Sequence, residues 1–149
     1  MDMAYLVAKR STCLRRCVGC VLINARGHVL STGYNGVAAG LPHCNEVTSK
    51  GATRLEIRAQ YAHACPGASL PSGEGLDLCQ AIHAEQNALL QCRDVYEIDT
   101  AYTTTSPCMT CTKLLLNTSC RRIFFGELYV HSTPQAELWT SSGRVWRSI

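Results

Sequence analysis

The sequence predicts a single α/β domain of three layers, α-β-α, in which a five-stranded mixed sheet carries helices on both faces. Helix-like and strand-like segments follow one another as α-β-β-α-β-α-β-α-β, the alternation that builds a sheet covered by helices. The chain has 149 residues, the size of one domain able to bury roughly two-thirds of its unfolded surface. Its 46% hydrophobic and 17% charged residues are those of a globular protein and argue against disorder.

Met3–Arg10 reads as the first helix, with Ala4, Leu6, Val7 and Ala8 apolar and Lys9–Arg10 suited to its C-terminal end. Cys17–Asn24 and His28–Thr32 read as a hairpin around the turn Asn24-Ala25-Arg26-Gly27. Gly33-Tyr34-Asn35-Gly36 breaks the strand pattern, and its glycines allow a ligand to approach the backbone closely. Residues 37–80 form a loop-rich insertion with Pro42, Pro66 and Pro71 and one helical piece at Thr53–Ala62. A loop this long inside one domain is functional or fastened, and its Cys44, Cys65, Cys79, His43 and His63 suggest metal fastening. His83–Arg93 is helical, Thr100–Thr104 a strand, and Pro107 suits the first turn of a helix reaching about Asn117, with Leu114–Leu116 buried. A strand at Arg122–Phe125, a weak helix at Gln135–Trp139 and a last strand at Val145–Arg147 close the domain.

The net charge of +3 is mild and suits a small anionic ligand as well as a polynucleotide. No apolar run approaches the ~20 residues of a membrane span, and Ala4–Ala8 is too short for a signal-peptide core. The expected compartment is the cytoplasm, where the ten cysteines stay reduced and some serve as ligands.

The chemistry concentrates in Ile82-His83-Ala84-Glu85 and Ser106-Pro107-Cys108-Met109-Thr110-Cys111. His83, Cys108 and Cys111 offer zinc three ligands of the types it prefers, which leaves the fourth position for water. Cys108-x-x-Cys111 at a helix start places both sulfurs where the helix dipole and unpaired N–H groups favour thiolates. His83 also stands at a helix start, so two helix N-termini should converge on one ion. Glu85, two residues on, can reach the water without displacing it and act as a proton shuttle. A structural zinc knot needs a fourth protein ligand, and none stands at short spacing. His-x-Glu with Pro-Cys-x-x-Cys is the signature of the zinc-dependent nucleobase deaminases.

Beyond that core the chain resembles the deoxycytidylate (dCMP) deaminases of phage and bacteria, within the cytidine deaminase-like fold. The resemblance runs through Arg10-Ser11-Thr12-Cys13, Ser31-Thr32-Gly33-Tyr34-Asn35-Gly36, Gly40-Leu41-Pro42-His43-Cys44, Ala81–Ala88 and Glu127-Leu128-Tyr129, covering roughly residues 1–130. It implies zinc-dependent conversion of dCMP to dUMP and ammonia, supplying dUMP for dTTP synthesis, with Asn35, Ala84, Ser106 and Tyr129 as substrate contacts. It implies a second, structural zinc on Cys13, Cys44 and Cys79, with Cys65 as the fourth ligand and His63 and His43 as alternatives. It also implies a homo-hexamer activated by dCTP and inhibited by dTTP with Mg2+, for which Arg16, Arg26, Gly33 and Gly36 are candidate residues. Cys17, Cys20, Cys92 and Cys120 are expected to be packing residues.

The main rival reading is a tRNA or other polynucleotide deaminase with the same core. The mild charge and the lack of a basic, aromatic-interleaved stripe count against it. A zinc-binding module without activity is disfavoured by Glu85 and the open fourth position.

Overall fold

The computed structural model describes residues 1–41, 43–44, 67, 70–71 and 74–149. The predicted helix at Thr53–Ala62, together with His63 and Cys65, lies outside the described residues.

The chain opens with helix α1 (Asp2–Ala8), followed by the hairpin strands β1 (Gly19–Ile23) and β2 (Val29–Tyr34). The hairpin turn is built as its sequence suggests. Asn24 Oδ1 accepts the N–H groups of Arg26 and His28 at 3.0 and 2.9 Å, and Gly27 supplies the positive φ of 84°. After the hairpin come β3 (Gly36–Val37), a 3-10 turn at Leu76–Leu78, β4 (Ala81–Ile82) and α2 (Ala84–Gln91). The remaining elements are β5 (Thr100–Thr105), α3 (Met109–Leu116), β6 (Arg122–Glu127), α4 (Thr133–Thr140) and β7 (Val145–Ser148).

The main sheet has the order β2-β1-β5-β6-β7. The pairs β1–β2 and β1–β5 are antiparallel, and β5–β6 and β6–β7 are parallel, which makes the sheet mixed as expected.

Two glycines fix the layers. On β1, a Cβ at Gly19 would lie 2.1 Å from the Ala4 carbonyl oxygen, so α1 packs flat on that face. Its neighbour Cys20 points the other way and pairs with Gly33 of β2, where a Cβ would lie 2.1 Å from the Ala84 oxygen and 2.3 Å from the Ala88 nitrogen. Helix α2 therefore covers the opposite face. The sequence reading assigned Gly33 to ligand approach. The backbone it admits is that of α2, because only a residue without a side chain lets the helix come so close.

The core fills the α2 side: Cys20, Leu22, Ala101, Ile123 and Phe125 from the sheet meet Ala84, Ala88, Leu115 and Trp139 from α2, α3 and α4. Ala84 and Ala88, one turn apart, form the face that α2 lays on the sheet. Cys20 and Cys120 are fully buried as packing residues, whereas Cys17 and Cys92 are only half-buried.

Several boundaries differ from expectation. The strand does not break at Gly33 but runs through Tyr34, and the short β3 then pairs with β4, a contact no sequence period signals. Pro107 precedes the α3 helix, whose N-cap is Cys108. Of Leu114–Leu116 only Leu115 is fully buried; Leu114 is exposed, because successive helical residues point 100° apart.

Candidate active site

The chemistry-bearing residues gather at the end of the sheet where the parallel strands β5 and β6 terminate, the usual place for a site in an open α/β sheet. The antiparallel register Cys20↔Thr103 also brings the segment before β1 to that end. One cavity is lined by His83, Ala84 and Glu85 from the start of α2, and by Thr105, Ser106 and Cys108 from the end of β5 and the start of α3. Tyr129 after β6, Asn35 after β2, and Cys13, Arg15, Arg16 and Val18 before β1 line the same cavity, with Cys79 from the end of the insertion.

His83 is the N-cap of α2, and its N–H donates to Gln86 Oε1 at 2.9 Å. Its Nδ1 lies 3.4 Å from Cys108 Sγ and 3.5 Å from Cys111 Sγ. Among the described residues these three form the group whose ligand atoms lie close enough to hold a metal ion. The spacing fits zinc. Zn–S bonds of about 2.3 Å and Zn–N bonds of about 2.05 Å at tetrahedral angles put sulfur and nitrogen about 3.6 Å apart. As expected, two helix N-termini meet at the site.

The two thiols are shifted in opposite directions. Hydrogen bonding from Cys111, with a smaller contribution from His83, holds the Cys108 thiol down at about 4, while the same bond and burial push Cys111 far up. Coordination to a divalent ion would ionise both. Glu85 is buried in the first turn of α2, and burial pushes its carboxyl above the usual range. Raised values of this kind suit a group that must hold and release a proton.

The other candidate residues divide. Ser106 is buried, and its Oγ accepts the Tyr129 N–H at 2.8 Å, so the two are held together at the rim. Asn35 is buried and heavily engaged. Its Oδ1 accepts from Ser11 Oγ at 2.6 Å and from the Val18 N–H at 2.8 Å, and its Nδ2 donates to the Arg16 carbonyl at 2.8 Å. Asn35 also lines the cavity.

The four residues grouped as regulatory lie at separate places in the single chain. Arg16 lines the cavity, Gly33 lies beneath α2, Gly36 is in β3 beside Thr12, and Arg26 is on the hairpin turn at the far end of β1. Of the suspected second metal site, Cys13 and Cys44 are buried and Cys79 is half-buried; Cys65 lies outside the described residues. The sequence reading missed Arg15 and Thr105 as lining residues. The available signal was the adjacent pair Arg15–Arg16 just before the first strand.

The chain matches the family model of the cytidine and deoxycytidylate deaminase zinc-binding region over residues 1–127. It is 34% identical over 145 residues to a deoxycytidylate deaminase of Schizosaccharomyces pombe, covering 96% of this chain and 40% of that protein. A deoxycytidylate deaminase of Mycobacterium phage D29 is 35% identical over 126 residues, covering 84% of this chain and 89% of the phage protein. The chain thus spans about two-fifths of the fission yeast relative but most of the phage one. In fold it is similar to the dCMP deaminase of cyanophage S-TIM5 solved with dCMP and dUMP, with a TM-score of 0.70, 23% identity, and 99% and 92% of the two chains covered.

Proposed function

The chain belongs to the cytidine and deoxycytidylate deaminase zinc-binding family, and from that premise we propose that it hydrolyses dCMP to dUMP and ammonia. The observation that carries the reading is Glu85, a buried carboxyl with a raised pKa in the first turn of the helix that begins at His83.

His83, Cys108 and Cys111 would hold the zinc. A zinc ion there supplies Lewis-acid activation, lowering the pKa of water from 15.7 to roughly 7. Glu85 takes a proton from the attacking water and hands it to the ring nitrogen beside C4. It then takes the proton of the new C4 hydroxyl and passes it to the amino group as the C4–N bond breaks, so that water and dCMP become dUMP and ammonia. Thr105, Ser106 and Ala84 line the cavity beside the ligand set and would wall the base, and Tyr129 and Asn35 of the same lining would meet the sugar.

The finer reading is as follows. Cys13, Cys44, Cys65 and Cys79 hold a second, structural zinc that fastens the insertion. It is supported by the burial of Cys13 and Cys44 and by Cys79 lying four residues before His83. The protein works in the cytoplasm, where two thiolate-rich sites stay reduced. It assembles as a homo-hexamer and responds to dCTP and dTTP with Mg2+, which rests on the family resemblance alone. Among the described residues no helix is long and apolar enough to cross a membrane.

Ammonia release from dCMP, deoxycytidine, CMP and tRNA tests the activity. Turnover of dCMP is expected, and turnover of tRNA alone would overturn the reading. Glu85→Gln should keep its zinc and lose about 10²–10⁴-fold in rate. Two zinc ions per chain are expected, and one would remove the second site.

A further inference from the structure

We propose that Asn87 is a positioning residue for the deamination: its carboxamide fixes the metal-binding end of α2 relative to Asn35 on the cavity wall. The inference rests on the deaminase reading of that cavity and adds a residue that acts on the reaction from outside it.

Asn87 stands one turn after His83, and its N–H donates to the His83 carbonyl at 2.9 Å. It does not line the cavity. Its side chain reaches β2 instead, where Nδ2 donates to the Tyr34 carbonyl at 2.8 Å. That carbonyl has no place in the sheet ladder. Strand β2 is an edge strand, and the Asn35 N–H donates inward to the Val18 carbonyl at 3.2 Å. In a trans peptide the C=O lies opposite the following N–H, so the Tyr34 carbonyl points off the sheet edge. The Tyr34–Asn35 peptide is therefore held on one side by Val18 and on the other by Asn87.

The Asn35 carboxamide itself is held by Ser11, Arg16 and Val18, all in the stretch before β1. Asn87 joins that assembly to the helix carrying His83 and Glu85. A backbone link runs beside it: Gly36 and Val37 pair with Ile82 and Ala81, immediately before His83. A two-residue ladder is weak by itself. With the Asn87 bond as a second attachment, both the distance and the orientation of Asn35 to the reacting centre are set. Such placement matters, since an error of about 1 Å can cost about 10²-fold in rate.

A second side-chain stitch between the same strand and helix provides the control. Ser31 Oγ donates to the Ala88 carbonyl at 2.8 Å, and Ser31 is buried away from the cavity lining.

The test compares the wild type with Asn87→Asp, Asn87→Gln and Ser31→Ala, each checked for zinc content and thermal unfolding. Asn87→Asp keeps the size of the side chain but offers the Tyr34 carbonyl only acceptors, whereas Asn87→Gln keeps the donor. Asn87→Asp should retain its zinc and lower kcat/KM for dCMP by about 10- to 100-fold. Asn87→Gln should recover part of that loss. Ser31→Ala should unfold at lower temperature with kcat/KM within about twofold of the wild type. In an Asn35→Ala background, Asn87→Asp should add less than about twofold, because the contact it positions is gone. If Asn35→Ala does not fold, Asn35→Asp carries the cycle; if Asn87→Asp does not, Asn87→Ala replaces it. Unchanged kcat/KM in Asn87→Asp, loss of its zinc, equal losses in Ser31→Ala, or additive losses with Asn35 would overturn the positioning role and leave the deaminase reading standing. If the wild type releases no ammonia from any cytosine substrate, the deaminase reading fails and the positioning role falls with it.

Discussion

Asn35 holds Arg16 by its main chain: the Asn35 carboxamide donates to the Arg16 carbonyl at 2.8 Å across nineteen residues of sequence. The same side chain accepts from Ser11 and from the Val18 N–H, so one buried amide pins the whole segment that lines the cavity. Replacing it with alanine strands the Val18 N–H and the Arg16 carbonyl together. Asn35→Ala should cost about 2–4 kcal/mol in urea unfolding, since each buried group left unpaired costs about 1–3 kcal/mol. It should also weaken dCMP binding, because Asn35 and the segment it pins line the cavity. A variant as stable as the wild type would show that Asn35 serves the ligand alone.

Gly33 sets how closely α2 approaches the sheet. A methyl group there would sit 2.1 Å from the Ala84 oxygen and 2.3 Å from the Ala88 nitrogen, so the helix must lift. His83 and Glu85 move with it. Gly33→Ala should cost about 2–3 kcal/mol by overpacking and weaken zinc retention as well. The control is Gly27→Ala, where nothing lies within 4 Å and only the positive φ of 84° is strained. It should cost about 1 kcal/mol and leave zinc content untouched.

Removal of the metal should stop the reaction reversibly. Dialysis against a strong chelator is expected to abolish ammonia release, and added zinc to restore it. Cys108→Ala should bind catalytic zinc too weakly to survive gel filtration, because it removes one of the three candidate ligands. Full activity in the chelated protein would count against a metal-dependent reaction.

Asp99 gives a pH dependence separate from the site. Partial burial opposes its ionisation, but hydrogen bonds from Thr100 Oγ1 and Arg122 hold the carboxyl below its usual range. A lowered folded pKa stabilises the protein above the unfolded value of ~3.9, and the effect is lost as pH falls through the folded value. The stability gap between wild type and Asp99→Asn should stay constant from about pH 8 to pH 5 and close below about pH 4. Arg122 is exposed, so the gap should be under about 1 kcal/mol. A gap that persists at about pH 3 would show that it does not come from ionisation of the Asp99 carboxyl.

Much of the site was legible because its chemistry is local. His-x-Glu places a candidate ligand and a buried carboxyl in one helical turn, and Cys-x-x-Cys places two sulfurs at one helix start. The five strands of the mixed sheet were legible for the same reason, since turn residues and period-two patterns act over a few positions. The β3–β4 pair was not, because two residues at either end of the long insertion carry no periodicity. Gly33 was misassigned because a glycine reports that something approaches closely but not whether it is a ligand or a helix.

The amino-acid order alone pointed to the three candidate metal ligands and to the proposed proton carrier, because each rests on residues within one turn of helix. Only the tertiary structure decided which residues meet them. Antiparallel pairing of β1 with β5 carries the stretch before β1 to the end of β5. Arg16 thereby comes to the cavity of His83, sixty-seven residues away in sequence, and its buried, unpaired Nη1 exists only once that packing is complete.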